Sequence, residues 1–195
     1  NVGTITTGGK ELFAYVPNVL FPELSKLTTP TYSHQYFVDG ITNAGDAYFN
    51  SQWHTILAGT TGGGGKAVYA LDVTNPSAFG PGTALWEFTG ADATYGADLG
   101  FTLAEPSISR MHNGKWAVVV GNGYGSVNES AVLFILDAET GAVIHKIDTG
   151  AIGGNGLSSP VVADNDGDHV IDAVYAGDLR GNLWKFDVSS NTPAS

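Results

Sequence analysis

The sequence predicts an all-β protein, a partial β-propeller of about three four-stranded antiparallel blades. Three observations predict it. Glycine takes 27 of 195 positions, roughly twice its ordinary share of about 7%, and it comes with 4 Trp, 8 Tyr and 9 Phe, a mixture that favours short strands and tight turns over helices. Strand-like runs recur at 11–16, 54–58, 67–73, 85–88, 116–120, 131–137, 143–147, 173–175 and 182–188, each bounded by Gly, Pro, Asn or Asp. One unit then repeats three times, and such self-similarity marks a repeat architecture.

The elements follow in order. Residues 1–27 hold a leftover strand at 11–16 and a short helix at 22–27, where Pro22 and Glu23 suit a first turn. Thr-Thr-Pro at 28–30 stops that helix. The first unit, about 28–90, begins at Pro30 and runs through 53–59, a Gly-rich turn at 62–65, 68–73 and 85–88. The second, about 100–150, runs through 105–108, 116–121, a turn at 122–130, 133–138 and 142–147. The third, about 156–189, runs through 159–162, 172–177, a turn at 178–181 and 183–188, without an outer strand. Each reads as a propeller blade whose apolar faces neighbouring blades cover. Gly59, Gly121 and Gly177 end the second strands and permit a bend or a close backbone approach. Asp72, Asp137 and Asp187 end the third strands, where a carboxylate caps the following turn. Propellers close with about four to eight blades, so residues 1–195 read as a single fragment of a larger ring. It is either an excised piece or one whose edges other chains complete.

The net charge is −11, with 8 basic and 19 acidic residues. Eight scattered cations do not make the cationic surface that neutralises phosphates, so nucleic acid is not expected as a partner, anionic membranes are poor ones, and a cation is favoured. No apolar run is long enough to span a bilayer, and no signal peptide opens the sequence; for an exported protein it would lie upstream. Without Cys there are no disulfides, thiol nucleophiles or Cys-based metal sites.

The stretch that carries chemistry is 164–172. Asp164, Asp166, Asp168 and Asp172 stand at relative positions 1, 3, 5 and 9. A tight loop turns alternate side chains toward one point, and Val170 at position 7 supplies a backbone carbonyl, a donor set that suits Ca2+. Four carboxylates this close repel one another unless a divalent ion neutralises them. The common twelve-residue calcium loop has Gly at position 6 and Glu at 12, whereas here Gly167 is at 4, His169 at 6 and Tyr175 at 12. A nine-residue variant fits better. Losing the distant Glu predicts a Kd of about 10⁻⁴ to 10⁻³ M unless another loop contributes.

Other candidates are weaker. The five His show no HExxH or i, i+4 pair and read as structural. Ser158 and Ser159 lack a nucleophile elbow, and 62–65 lacks the features of a P-loop. Trp53, Trp86, Trp116 and Trp184 read as core or blade-to-blade packing rather than a sugar platform. No catalytic constellation emerges, so the protein is not expected to be an enzyme.

The segments at 11–17, 32–40, 45–48, 66–76 and 121–124, and above all 162–168 with 175–187, make the chain resemble the C-terminal propeller of the PilY/PilC family, secreted proteins of the type IV pilus tip. The resemblance covers nearly the whole chain. It implies a modified, quinoprotein-like propeller with calcium on a nine-residue loop, and roles in pilus assembly, surface adhesion and twitching motility. It also implies that calcium occupancy is linked to the balance of pilus extension and retraction. Carried over position by position, the ligands are the side chains of Asp164, Asp166, Asp168 and Asp172 and the carbonyl of Val170. The implied partners are pilins or minor pilins and a host or abiotic surface, and the implied location is the cell surface, on the pilus, at the outer membrane or outside the cell. No Arg-Gly-Asp occurs, so integrin-type recognition is not implied.

The leading reading is a noncatalytic, calcium-binding module of a pilus-associated adhesin. Two alternatives remain. A quinoprotein-like dehydrogenase fragment rests on Tyr-Ala-Leu-Asp at 69–72 and Asp-Ala-Glu-Thr-Gly at 137–141, and an extracellular carbohydrate-binding propeller rests on the Trp and Tyr content.

Overall fold

The computed structural model describes residues 10–191. Eleven strands form three antiparallel sheets. The first contains β1 (Thr42–Phe49), β2 (Gln52–Thr60), β3 (Ala67–Asp72) and β4 (Ala84–Thr89); the second β5 (Ser107–Arg110), β6 (Trp116–Gly121), β7 (Val132–Asp137) and β8 (Val143–Asp148). The third contains β9 (Val161–Ala163), β10 (Ala173–Gly177) and β11 (Leu183–Asp187). Each sheet is a meander in sequence order, of 4, 4 and 3 strands. The first strands are neighbours, β1 against β5 and β5 against β9, so the sheets fan outward as propeller blades do. Among the described residues no helix is long and apolar enough to cross a membrane.

Alternation builds the two seams between sheets. Along β6 and β7, Val118, Val120, Val132, Phe134 and Leu136 pack on Ile56, Val68 and Phe88 of the first sheet. Their sequence neighbours Ala117, Val119, Leu133 and Ile135 pack instead on Val174, Ala176 and Phe186 of the third. Side chains alternate across a strand, so a strand sandwiched on both faces must be apolar throughout, and β7 is buried from end to end. Phe134 is fully buried and meets Phe88 edge-on at 5.1 Å.

The sequence at 11–16 alternates like a strand but joins no sheet. It lies across the first blade through side chains: Phe13 stacks on Phe79 at 3.8 Å, and Tyr15 packs against Tyr69 and hydrogen-bonds Glu87. Burial and the Glu87 carboxylate push the Tyr15 hydroxyl up. The helix expected at 22–27 is a 3₁₀ turn at Asn18–Leu20, one α-helical turn α1 (Phe21–Leu24), and a second 3₁₀ turn at Ser25–Thr28. The first blade opens on β1, not at Pro30; its sequence TNAGDAYF is poor in β-branched residues and gives little strand signal.

The Asp residues at the third-strand ends cap their turns as expected. Asp72 accepts from Thr74 N, Asp137 from Glu139 N and Thr140 N, and Asp187 from Ser189 N. The glycines divide. A Cβ on Gly121 would stand 2.2 Å from the Ser158 carbonyl of the next blade, whereas one on Gly177 would meet nothing nearer than 3.6 Å. Gly59 lies one position out of step. Asp72, Asp137 and Asp187 face Ile56, Ala117 and Ala173, which makes Thr60 the counterpart of Gly121 and Gly177. Gly59 instead makes room for the ring of its cross-strand partner Tyr69.

The residue after each second strand is a polar hub. Thr61 accepts from Ala67 N, and Asn122 Oδ1 accepts from both Val132 N and Leu157 N, joining the second and third blades. Asp178 collects five N–H donors. Arg180 N and Asn182 N bind Oδ1, and the side chains of Asn155, Asn182 and Trp184 bind Oδ2.

Candidate metal centre

The acidic loop connects β9 to β10, and its own carboxylates wind it. Asp164 accepts from Gly167 N at 2.7 Å through one oxygen and from His169 N at 2.8 Å through the other. Asp166 accepts from Asp168 N, Asp168 from Val170 N, and Asp172 from Asn165 N. Gly167 and His169 adopt φ of 83° and 66°. Glycine takes the left-handed region freely, while His169 accepts a modest cost there. The two amide bonds hold the Asp164 carboxyl below the usual carboxylate range.

Both ends of the loop are anchored. Asp172 N donates to Ala163 O, closing the loop onto β9, and Ile171 N donates to Arg110 O of the second blade. Val170 and Ile171 are buried. From the β5–β6 turn, His112 Nε2 reaches Asp172 Oδ1 at 3.0 Å. The loop is therefore held by two blades.

Of the four expected carboxylates, the structure brings three together. Oxygens of Asp164, Asp166 and Asp172 all lie within 4.8 Å of one another. Asp168 is not one of the three, and its Oδ1 turns back to Val170 N. Unit charges at that separation repel by about 1 kcal/mol per pair even at water's dielectric. Three hard oxygen donors, Asp164 and Asp166 exposed and Asp172 half-buried, suit a hard divalent cation such as Ca2+. His112, read from sequence as structural, belongs to this cluster. It lies 60 residues from Asp172, and no local spacing signals that contact.

The Trp residues separate into two kinds. Trp86 Nε1 donates to Ala138 O across the first seam at 3.0 Å, and Trp184 Nε1 donates to Asp178 at 2.9 Å. Trp53 is 62% exposed, and Trp116 touches it edge-to-face.

Radial antiparallel sheets with an acidic loop between the first two strands of the third define a β-propeller module bearing a candidate cation site. The chain belongs to the PilY1 family: residues 2–195 match the model of the PilY1 beta-propeller domain. It is 50% identical over 187 residues to the type IV pilus biogenesis factor PilY1 of Pseudomonas aeruginosa strain PAO1, covering 93% of this chain and 16% of that protein. It is 44% identical over 196 residues to a PilY1 homolog of Xylella fastidiosa strain Temecula1, covering 95% of this chain and 13% of that protein. The crystal structure of the P. aeruginosa PilY1 C-terminal domain matches with a TM-score of 0.79 and 45% identity, over 93% of this chain and 35% of that one. The chain thus spans about one sixth of the curated P. aeruginosa relative and about one third of the solved domain.

Proposed function

We propose that this chain is a noncatalytic, calcium-binding propeller module of a type IV pilus-associated protein at the cell surface. It serves pilus assembly, the balance of extension and retraction, and surface adhesion, with pilins or minor pilins and a host or abiotic surface as partners. The observation that carries the calcium half is the convergence of Asp164, Asp166 and Asp172 within 4.8 Å on a doubly anchored loop. The ligands are those three side chains with Asp168 and the Val170 carbonyl, as the 1, 3, 5, 7, 9 spacing requires. Bound Ca2+ supplies positive charge to a crowded acidic loop and so favours the folded state. The pilus half is supported by relatives named as type IV pilus biogenesis factors.

The test is replacement of Asp166 by Ala in the intact protein, with surface pili counted and attachment measured in calcium-containing medium. A change in piliation or attachment at unchanged protein level supports the proposal. Wild-type values for both would contradict it.

A further inference from the structure

Between the β1–β2 and β5–β6 turns lies a groove of about 340 Å³ lined by Tyr48, Trp53, Arg110, Gly114 and Trp116. This is within the range of small-molecule clefts, about 300–1,000 Å³. It continues past Tyr48 and Trp116 to Asn50, Lys115, Asp137 and Glu139. None of the loop carboxylates lines it.

We propose that this groove binds a neutral oligosaccharide of equatorial, β-linked sugars. The rings form an open aromatic corner. Trp53 meets Tyr48 at 5.4 Å and Trp116 at 5.7 Å, both edge-to-face, and Trp53 and Tyr48 remain 62% and 46% exposed. Each edge-to-face contact covers one face of one ring, so the exposure that remains on Trp53 and Tyr48 is ring area open to solvent, and the C–H face of an equatorial pyranose is a flat apolar surface of matching size. The donors complete the argument. Trp86 and Trp184 have satisfied indole N–H groups. Among the described residues, no hydrogen bond is made by the Trp53 or Trp116 indole N–H, the Tyr48 hydroxyl or the Arg110 guanidinium, and Arg110 has no ion pair. An apolar partner would bury those donors unpaired, at a cost for each; sugar hydroxyls can accept from all of them.

Charge selects a neutral ligand. Farther along the groove Lys115 is paired with Asp137 at 2.6 Å, and Glu139 accepts from Asn50 at 2.7 Å. Arg110 and Glu139 then offset each other, while the net charge of −11 disfavours polyanions.

The experiment titrates the intact protein with cellotetraose and with tetra-N-acetylchitotetraose, following tryptophan fluorescence and heat. Saturable binding of either sugar is expected, weakened at least tenfold by Trp53→Ala, weakened less by Trp53→Phe, and reduced by Arg110→Ala. Because Trp53 is largely exposed, the variants should keep the wild-type melting temperature, which is checked in parallel. Absence of saturable binding by the wild type overturns the proposal, as does binding that Trp53→Ala leaves unchanged. Failure to bind either sugar, together with pilin binding that Trp53→Ala abolishes, overturns it in favour of a protein interface.

Discussion

His112 and Asp172 sit in different blades, yet His112 Nε2 lies 3.0 Å from Asp172 Oδ1. Asp172 is also the last carboxylate of the acidic loop, and its other oxygen accepts from Asn165 N at 2.7 Å. One carboxylate thus ties the loop to itself and to the neighbouring blade. The fit between two blades sets the position of the candidate cation site.

His112→Ala removes the group that orients Asp172 while leaving every proposed ligand in place. Loss of such outer-shell partners costs about 10–100-fold in metal affinity. Calcium titration of His112→Ala should show weakening of about tenfold, and an unchanged Kd would show that His112 does not position the ligand.

Asp178 links pH to stability. Burial pushes its carboxyl up, but the side-chain hydrogen bonds from Asn155, Asn182 and Trp184 outweigh it and hold the carboxyl well below the usual carboxylate range. A depressed pKa in the fold stabilises the protein above the unfolded value of 3.8, and that contribution is lost as pH falls from there toward the folded value. Melting temperature should therefore drop on acidification below about pH 4, and Asp178→Asn should flatten that drop. At neutral pH the same substitution should cost about 2 kcal/mol, since it sets an amide N–H against donors. A variant with wild-type slope and stability would show that the five hydrogen bonds carry no net weight.

Gly121 and Gly177 occupy the same place in successive blades, but only Gly121 is crowded. Gly121→Ala would force Cβ to 2.2 Å from the Ser158 carbonyl and push the second and third blades apart. Gly177→Ala meets only ordinary contact. Thermal melts should show a loss of about 1–3 kcal/mol for Gly121→Ala and little change for Gly177→Ala. Equal melting temperatures would contradict this reading.

The legible parts of the fold were those written in local pattern. The apolar run at 131–137 became β7 because burial on both faces leaves no room for polar alternation. The Asp caps at 72, 137 and 187 were readable because they bond amides two or three residues ahead. Strand β1 was missed because pairing along β2, not intrinsic propensity, holds TNAGDAYF extended. Residues 11–16 misled in the opposite direction: their alternation reflects Phe13 and Tyr15 packing on the first blade through side chains, without ladder pairing to its outer strand β4. At the acidic loop, spacing picked out Asp164, Asp166 and Asp172, which the fold brings together. It could not foresee Asp168 turning to Val170 N. Nor could it foresee His112, whose place depends on how the second and third blades meet.

Calcium binding by the loop at 164–172 is the central claim, and isothermal titration of the intact protein with Ca2+ after chelator treatment tests it most directly. The account predicts saturable binding with a Kd of about 10⁻⁴ to 10⁻³ M, abolished by Asp166→Ala. It also predicts a rise in melting temperature corresponding to about 2.7 kcal/mol at a hundredfold excess over Kd. No binding heat, together with identical melting of the wild type in calcium and in chelator, would contradict it.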